Sequence, residues 1–93
     1  MKIVIAVSTY NRPTITRFCL ENLSALRSDD VRLVVYDDAS DAYDKRELLE
    51  YADEVIRFER NGGIERSRAR AFRDFTYRFT DYDLLYQIGR AHV

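Results

Sequence analysis

The stretch VRLVVYDDAS, residues 31–40, is an apolar run that ends in two adjacent carboxylates. Residues 31–36 are rich in β-branched valine. The run is too apolar for a half-exposed strand, which predicts a buried strand in a sheet covered on both faces. Asp37 and Asp38 would then lie at the carboxyl end of that strand, where open α/β sheets bind ligands. Asp38 and Ser40 could instead cap the following turn, but a cap explains only one carboxylate. The pair therefore favours a binding site.

Strand and helix patterns alternate on both sides of this stretch. Strand patterns occupy residues 2–7, 31–36, 54–58 and 84–88, of which the first two are typical of buried strands. Helix patterns occupy residues 13–26, 43–52 and 64–79. The order is β-α-β-α-β-α-β. Strands that alternate with helices form parallel sheets through right-handed crossovers, so we predict an α/β fold with a Rossmann-like parallel sheet and helices on both faces.

Length and composition limit the function classes. A chain of 93 residues makes one small domain, and 46% hydrophobic residues predict that it folds. The net charge of −1 gives no overall field that favours nucleic acid, so no nucleic-acid partner is predicted. The single cysteine, Cys19, excludes an internal disulfide and a cysteine-based zinc cluster. With no signal peptide or membrane-spanning run in the sequence, the expected location is cytoplasmic.

Seven arginines crowd residues 57–78 and indicate an anion-binding segment. Helical spacing predicts that Arg66, Arg70 and Arg73 form a largely solvated stripe. Arg68 instead shares its register with Ile64 and the phenylalanines of the same helix, which predicts that it faces the sheet. An inward arginine needs an anion, either Asp37 or Asp38 or a ligand phosphate. The Gly-Gly turn at residues 62–63 leaves backbone N–H groups free to approach such an anion.

Three segments together resemble family 2 glycosyltransferases. They are VIAVSTYNRP at residues 4–13, LVVYDDAS at residues 33–40, and NGG at residues 61–63 followed by the arginine-bearing helix. The resemblance extends as far as Gln87. It implies the nucleotide-binding half of a GT-A fold and a metal-dependent enzyme that transfers a sugar from a nucleotide-sugar donor to an unknown sugar, lipid or protein acceptor. It also allows peripheral association of the parent protein with a membrane.

The resemblance assigns the donor nucleotide to particular residues. Ser8, Thr9 and Tyr10 would line the nucleobase pocket, and Asp38 would accept from the base or ribose with Asp37 beside it. Arg66 or Arg68 would approach the diphosphate, although the family's Ala-Arg-Asn is replaced by SRA at residues 67–69. Two alternatives stay open at the first loop: Tyr10 as a packing residue and Asn11 as a helix cap.

The metal motif of the family is missing. Its Asp-x-Asp follows the fourth strand, whereas the DYD of residues 81–83 precedes that strand and is predicted to be a turn. No metal-binding or catalytic residue is therefore predicted in this chain, and a divalent metal (Mn²⁺ or Mg²⁺) is expected for the full-length parent. We expect the chain to be an incomplete, inactive fragment.

The last six residues, IGRAHV at 88–93, match one reading frame of a widely used sequencing-library adapter. Residues 1–87 are therefore expected to be the truncated nucleotide-sugar-binding part, and residues 88–93 a non-native tail. The parent nucleotide record decides this point.

Other α/β functions fit the residues less well. A sugar nucleotidyltransferase of related fold is expected to carry a glycine-rich loop after the first strand, and residues 8–12 contain no glycine. A non-catalytic receiver-like module needs a lysine at a late strand end, and the only lysines are Lys2 and Lys45. A dinucleotide-dependent dehydrogenase would carry Gly-x-Gly-x-x-Gly after the first strand.

Overall fold

The structure is a computed structural model that describes residues 1–89. Four strands alternate with three helices, which confirms the predicted order. The elements are β1 (Ile3–Thr9), α1 (Pro13–Ser24), β2 (Val31–Asp37), α2 (Lys45–Leu49), β3 (Glu54–Arg57), α3 (Ile64–Tyr77) and β4 (Leu84–Ile88). No helix among the described residues is long and apolar enough to cross a membrane.

The four strands form one parallel sheet in the order β3-β2-β1-β4. Alternate residues of β1 face opposite sides, as the period of two in a strand requires. Ile5 and Val7 pack with Leu20 of α1 and Leu48 of α2, while the other face of the sheet packs against Ala71 of α3. Helices therefore cover both faces, and the predicted Rossmann-like α/β fold is confirmed.

The strand order places a crevice at the carboxyl ends of the central strands. The chain leaves β1 over the face covered by α1 and returns to β4 over the face covered by α3. Connections that diverge to opposite faces open a space between β1 and β4, the usual ligand position in open α/β sheets. The residues that follow β1 and β2 lie at this edge.

Some boundaries differ from the sequence predictions. β1 continues through Thr9 because Ser8 and Thr9 pair with the last two residues of β2. α2 is shorter than predicted at both ends. It begins at Lys45 because the Asp44 side chain accepts from the Arg46 amide as an N-cap. β4 has the predicted bounds, and its last residue, Ile88, pairs with Val7 of β1. The predicted tail includes residues 90–93, which lie outside the described residues.

The side of α3 that faces the sheet differs from the prediction. Its buried residues are Ser67, Ala71 and Asp74, whereas Arg68 is exposed and Phe72 is 63% exposed. Arg68 follows Ser67 by about 100° around the helix and so points away from the sheet. Asp74 faces the sheet because the Tyr36 hydroxyl donates to its carboxylate at 2.8 Å. Burial and this hydrogen bond raise the pKa of Tyr36, which keeps the donor protonated.

The predicted solvated stripe on α3 is also wrong for two of its members. Arg66 is half-buried and ion-paired with Asp38. Arg70 is half-buried and ion-paired with Asp74. Arg73 is exposed, as predicted. Asp38, which binds Arg66, directly follows β2, and Asp74, which binds Arg70, lies on the buried side of α3. The spacing of arginines along α3 alone did not indicate these contacts.

Candidate functional site

Three loops meet at the carboxyl edge of the sheet. The backbone N–H of Asp38 donates to the Thr9 carbonyl at 2.9 Å, and the N–H of Phe58 donates to the Asp37 carbonyl at 2.9 Å. These two bonds continue the β1–β2 and β2–β3 pairing past the strand ends. The loops after β1, β2 and β3 are thereby held together with the two aspartates between them.

Asp37 is fully buried, and its carboxylate is surrounded by donors from the protein itself. Arg57 Nε donates at 2.7 Å, the Ser40 amide at 3.1 Å, and the hydroxyls of Thr9 and Tyr43 at 2.9 and 3.1 Å. The Ser40 hydroxyl also contacts this carboxylate. Burial raises the pKa of Tyr43, so its hydroxyl remains a donor. Asp37 therefore joins the three loops and has little capacity left for a ligand.

Asp38 is also fully buried, but its partners belong to the segment that begins α3. Its oxygens accept from the amides of Gly62 at 2.7 Å and Gly63 at 2.9 Å, and from a terminal nitrogen of Arg66 at 2.8 Å. Arg66 also donates to the Arg60 carbonyl, and its guanidinium lies 4.3 Å from the ring centre of Phe58. The carboxylate thus holds the turn before α3 and orients the first arginine of the helix.

The two glycines of this turn have different roles. Gly63 has φ of +87°, a backbone conformation that other residues avoid. Gly62 has no such φ, but a Cβ on it would lie 2.3 Å from the Arg66 guanidinium carbon. The first glycine makes room for the arginine, and the second allows the chain to turn into the helix.

Substitution of these glycines tests the two roles separately. We expect Gly63→Ala to lower the free energy of unfolding by about 1–3 kcal/mol, because a non-glycine residue is strained at this φ. Gly62→Ala has no backbone strain and should instead displace Arg66 from Asp38. Urea unfolding measures the first effect, and the NMR shift of the Arg66 Nε–H group measures the second. An unfolding free energy unchanged in Gly63→Ala would contradict the assigned backbone conformation.

Asn11 connects the first two loops and is not a helix cap. Its side-chain oxygen accepts from the amides of Asp41 at 2.8 Å and Ala42 at 3.0 Å, and its own amide donates to the Ser40 hydroxyl at 2.9 Å. The N-cap position of α1 is Arg12, which makes no side-chain capping bond. Asn11 has φ of +45°, a conformation that asparagine tolerates better than most residues.

The predicted nucleobase residues lie at the end of β1. Ser8 and Thr9 are buried and line a cavity of about 170 Å³ between α1 and the end of β4. Ile15, Cys19 and Ile88 line the same cavity. Tyr10 is half-buried in the following loop. This cavity lies at the crevice between β1 and β4, next to the aspartate pair.

The structure brings together most of the predicted site residues. Thr9 contacts Asp37 directly, and Arg66 contacts Asp38. Arg68 is not part of this arrangement: its side chain is exposed, and its carbonyl accepts from Gln87. Of the two arginines considered for the diphosphate, only Arg66 is in contact with the aspartate pair.

Two members of the Asp37 network were not found from the sequence. Arg57 lies opposite Asp37 in the parallel register of β2 and β3, so a predicted register would have indicated the pair. Tyr43 was assigned to a helix, whereas it precedes Asp44, the N-cap of α2, and is buried with its hydroxyl on Asp37. A single buried tyrosine before a helix carries no pattern that would reveal this contact.

The described residues do not form a metal site. Among residues 1–89, no group of three or more His, Cys, Asp or Glu side chains is placed to hold a metal ion. The oxygens of Asp37 and Asp38 accept from N–H and O–H donors, as described above. Asp81 and Asp83 lie at the start of β4, where Asp81 pairs with the Lys2 ammonium and Asp83 accepts from the Lys2 amide. The prediction that DYD is a turn before the strand is confirmed.

The sequence was compared with models of known protein families. The model of the family described as "Glycosyl transferase family 2" matches residues 4–82. This range includes the loops after β1, β2 and β3 and the whole of α3. Comparisons with curated proteins and with solved structures gave no significant match.

Proposed function

The chain belongs to glycosyl transferase family 2, and from this membership we propose that it provides the donor-binding part of a glycosyltransferase. The donor would be a nucleotide-sugar, the substrate class that this family generally uses, and the acceptor an unknown sugar, lipid or protein. Location in the cytoplasm and peripheral association with a membrane belong to the same proposal.

One observation carries the proposal: the contact of Asp38 with the Gly62–Gly63 turn and Arg66 at the carboxyl edge of a parallel sheet. The edge is the usual ligand position in such sheets. The contact places one guanidinium and two backbone amides beside a carboxylate, next to the cavity lined by Ser8 and Thr9. A nucleoside diphosphate needs an acceptor for its base or ribose and donors for its phosphates, and this edge contains both.

Each candidate residue has a proposed part. Ser8, Thr9 and Tyr10 would border the nucleobase, and Asp38 would accept from the base or ribose. Asp37 would act as a positioning residue, because its oxygens are taken by the loops that it joins.

The diphosphate would be bound by arginine. Arg66 would exchange its contact with Asp38 for the diphosphate, and the exposed Arg68 would approach from solvent. In the reaction, the bond between the anomeric carbon and the diphosphate breaks while a bond to the acceptor oxygen forms. The acceptor loses a proton, and the nucleoside diphosphate leaves.

These side chains would supply charge stabilisation. A guanidinium beside the departing diphosphate offsets the negative charge that develops there, which lowers the barrier. No described residue is assigned as the base that takes the acceptor proton. The described residues do not fit a divalent metal, so none of them is assigned to Mn²⁺ or Mg²⁺. A divalent metal, which this family often uses, belongs to the proposal only as a cofactor held by residues other than these.

NMR titration with nucleotides tests the proposal. UDP, GDP and dTDP are added to the ¹⁵N-labelled chain, with and without Mg²⁺. We expect one of them to shift the amides of residues 8–10, 38 and 62–68. Arg66→Gln or Arg68→Gln should lower the affinity for that nucleotide about tenfold, the contribution of one charge-assisted hydrogen bond.

Arg46→Gln is the matched control, because Arg46 lies on α2 with its side chain 87% exposed. Its affinity for the nucleotide should be unchanged. If none of the three nucleotides shifts residues at the carboxyl edge, the proposed donor site is wrong. Equal weakening in all three arginine variants would also contradict it, because it would indicate only a general charge effect.

A further inference from the structure

The second half of α3 borders a cleft at the opposite end of the sheet from the aspartate pair. The cleft has a volume of about 650 Å³ and is lined by Arg70, Arg73, Asp74, Tyr77 and Arg78; we call it the α3 cleft. Arg78 contacts both carboxylate oxygens of Glu54, the first residue of β3, which places the cleft at the amino edge of the sheet. The proposed donor site does not use these residues.

Asp74 organises the arginines of the cleft. Its carboxylate is buried and accepts from Arg70 Nε at 3.1 and 3.2 Å, while a terminal nitrogen of Arg78 lies 3.3 Å away. The Tyr36 hydroxyl donates to the same carboxylate from the side of the sheet. One buried anion therefore fixes two guanidinium groups at the wall of the cleft.

Two arginines of the cleft have N–H donors that these contacts do not use. Arg70 uses its Nε for Asp74, so within residues 1–89 its two terminal nitrogens have no described partner. The exposed Arg73 makes no hydrogen bond or ion pair with any described residue. Arg70, Arg73 and Tyr77 follow one another at i, i+3 and i+7, so they lie on one side of the helix. Two guanidinium groups and a phenol hydroxyl thus converge on the same cleft.

The charge of the lining also favours an anion. The lining contains three guanidinium groups and one carboxylate, and Arg78 also pairs with Glu54, which leaves a net charge of about +1 among these residues, although the whole chain is near neutral. A single arginine guanidinium can bind phosphate oxygens through two parallel hydrogen bonds, a geometry that lysine cannot supply. We infer that the α3 cleft binds a phosphate group, held by Arg70, Arg73 and the Tyr77 hydroxyl. The phosphate could belong to a soluble molecule or to a lipid headgroup, and the chemistry is the same.

Titration with inorganic phosphate at constant ionic strength tests the inference. NMR follows the Nε–H groups of the arginines in the ¹⁵N-labelled chain. We expect phosphate to shift Arg70 and Arg73, and Arg73→Gln to weaken binding about tenfold. Arg73 is exposed and makes no hydrogen bond or ion pair with residues 1–89, so this variant should fold normally. Arg17→Gln, a change on the exposed surface of α1, is the matched control and should bind phosphate as the original chain does.

Vesicle sedimentation distinguishes the two sources. Vesicles of phosphatidylcholine alone are compared with vesicles that also contain phosphatidylglycerol. If the chain binds only the vesicles with phosphatidylglycerol, and Arg73→Gln removes that binding, the phosphate belongs to a lipid headgroup. If the chain binds phosphate but not vesicles, the phosphate belongs to a soluble molecule. If neither phosphate nor vesicles bind, or if Arg17→Gln weakens binding as much as Arg73→Gln, the inference is overturned. Nucleotide shifts at residues 8–10 and 62–68 report on the donor site separately, so either proposal can fail alone.

Discussion

Replacement of Asp37 by alanine is expected to lower the free energy of unfolding by about 3–5 kcal/mol, the largest effect of any substitution proposed for this chain. The variant would leave the Arg57 guanidinium, whose side chain is only 25% exposed, without its carboxylate. It would also leave the buried hydroxyls of Thr9 and Tyr43 without their acceptor. Small domains are stable by about 5–15 kcal/mol in total, so a large share of the stability would be lost.

Urea unfolding followed by circular dichroism measures this loss. Asp41→Ala is the matched control: Asp41 follows in the same loop but is exposed, and its replacement should change the unfolding free energy by less than about 0.5 kcal/mol. Asp37→Asn should fall between the two, because the amide keeps one acceptor oxygen but loses the charge that pairs with Arg57. Equal stability of the Asp37→Ala and Asp41→Ala variants would contradict the assignment of Asp37 as the residue that joins the loops.

The order of the elements could be predicted because each buried strand is a continuous apolar run. Residues 31–36 show this most clearly, and the observed strand begins at the predicted residue. β4 also begins where it was predicted, although it is an edge strand with no buried residue. The ends of elements were harder to predict where a polar residue decides them. β1 extends through Ser8 and Thr9 because β2 pairs with them, and α2 starts only after the Asp44 cap.

The site could be predicted as a position but not as a set of contacts. An aspartate pair at a strand end indicated the carboxyl edge of the sheet, where the structure has it. The arginine partners of the pair, Arg57 and Arg66, lie 20 or more positions away, and sequence spacing contains no information on them. The face of α3 was assigned wrongly for a related reason. The phenylalanines were taken to mark the buried side. Phe75 and Phe79 do pack in the core, but Phe72 is exposed, and the hydrogen bond between Tyr36 and Asp74 orients the helix.

Replacement of Asp38 by alanine should destabilise the chain by about 2–4 kcal/mol, because a buried charge network loses its anion. It should also open the turn before α3. Hydrogen exchange of the Gly62 and Gly63 amides measures this opening directly, since both amides donate to Asp38. We expect both amides to lose protection in Asp38→Ala, whereas Arg66→Ala should leave them protected. If the two amides exchange at the same rate in Asp38→Ala as in the original chain, Asp38 does not hold the turn.

The double variant separates the two partners of Asp38. If the carboxylate acts mainly through Arg66, Asp38→Ala should cost little once Arg66 is already alanine. If it acts mainly through the glycine amides, the costs of the two single changes should nearly add. The distinction matters for the donor site, because loss of nucleotide binding in Asp38→Ala alone would follow from either a lost ligand contact or a disordered turn. Nucleotide binding lost while the Gly62 and Gly63 amides stay protected would identify Asp38 as a direct contact. Binding lost together with that protection would identify it as the residue that positions Arg66 and the turn.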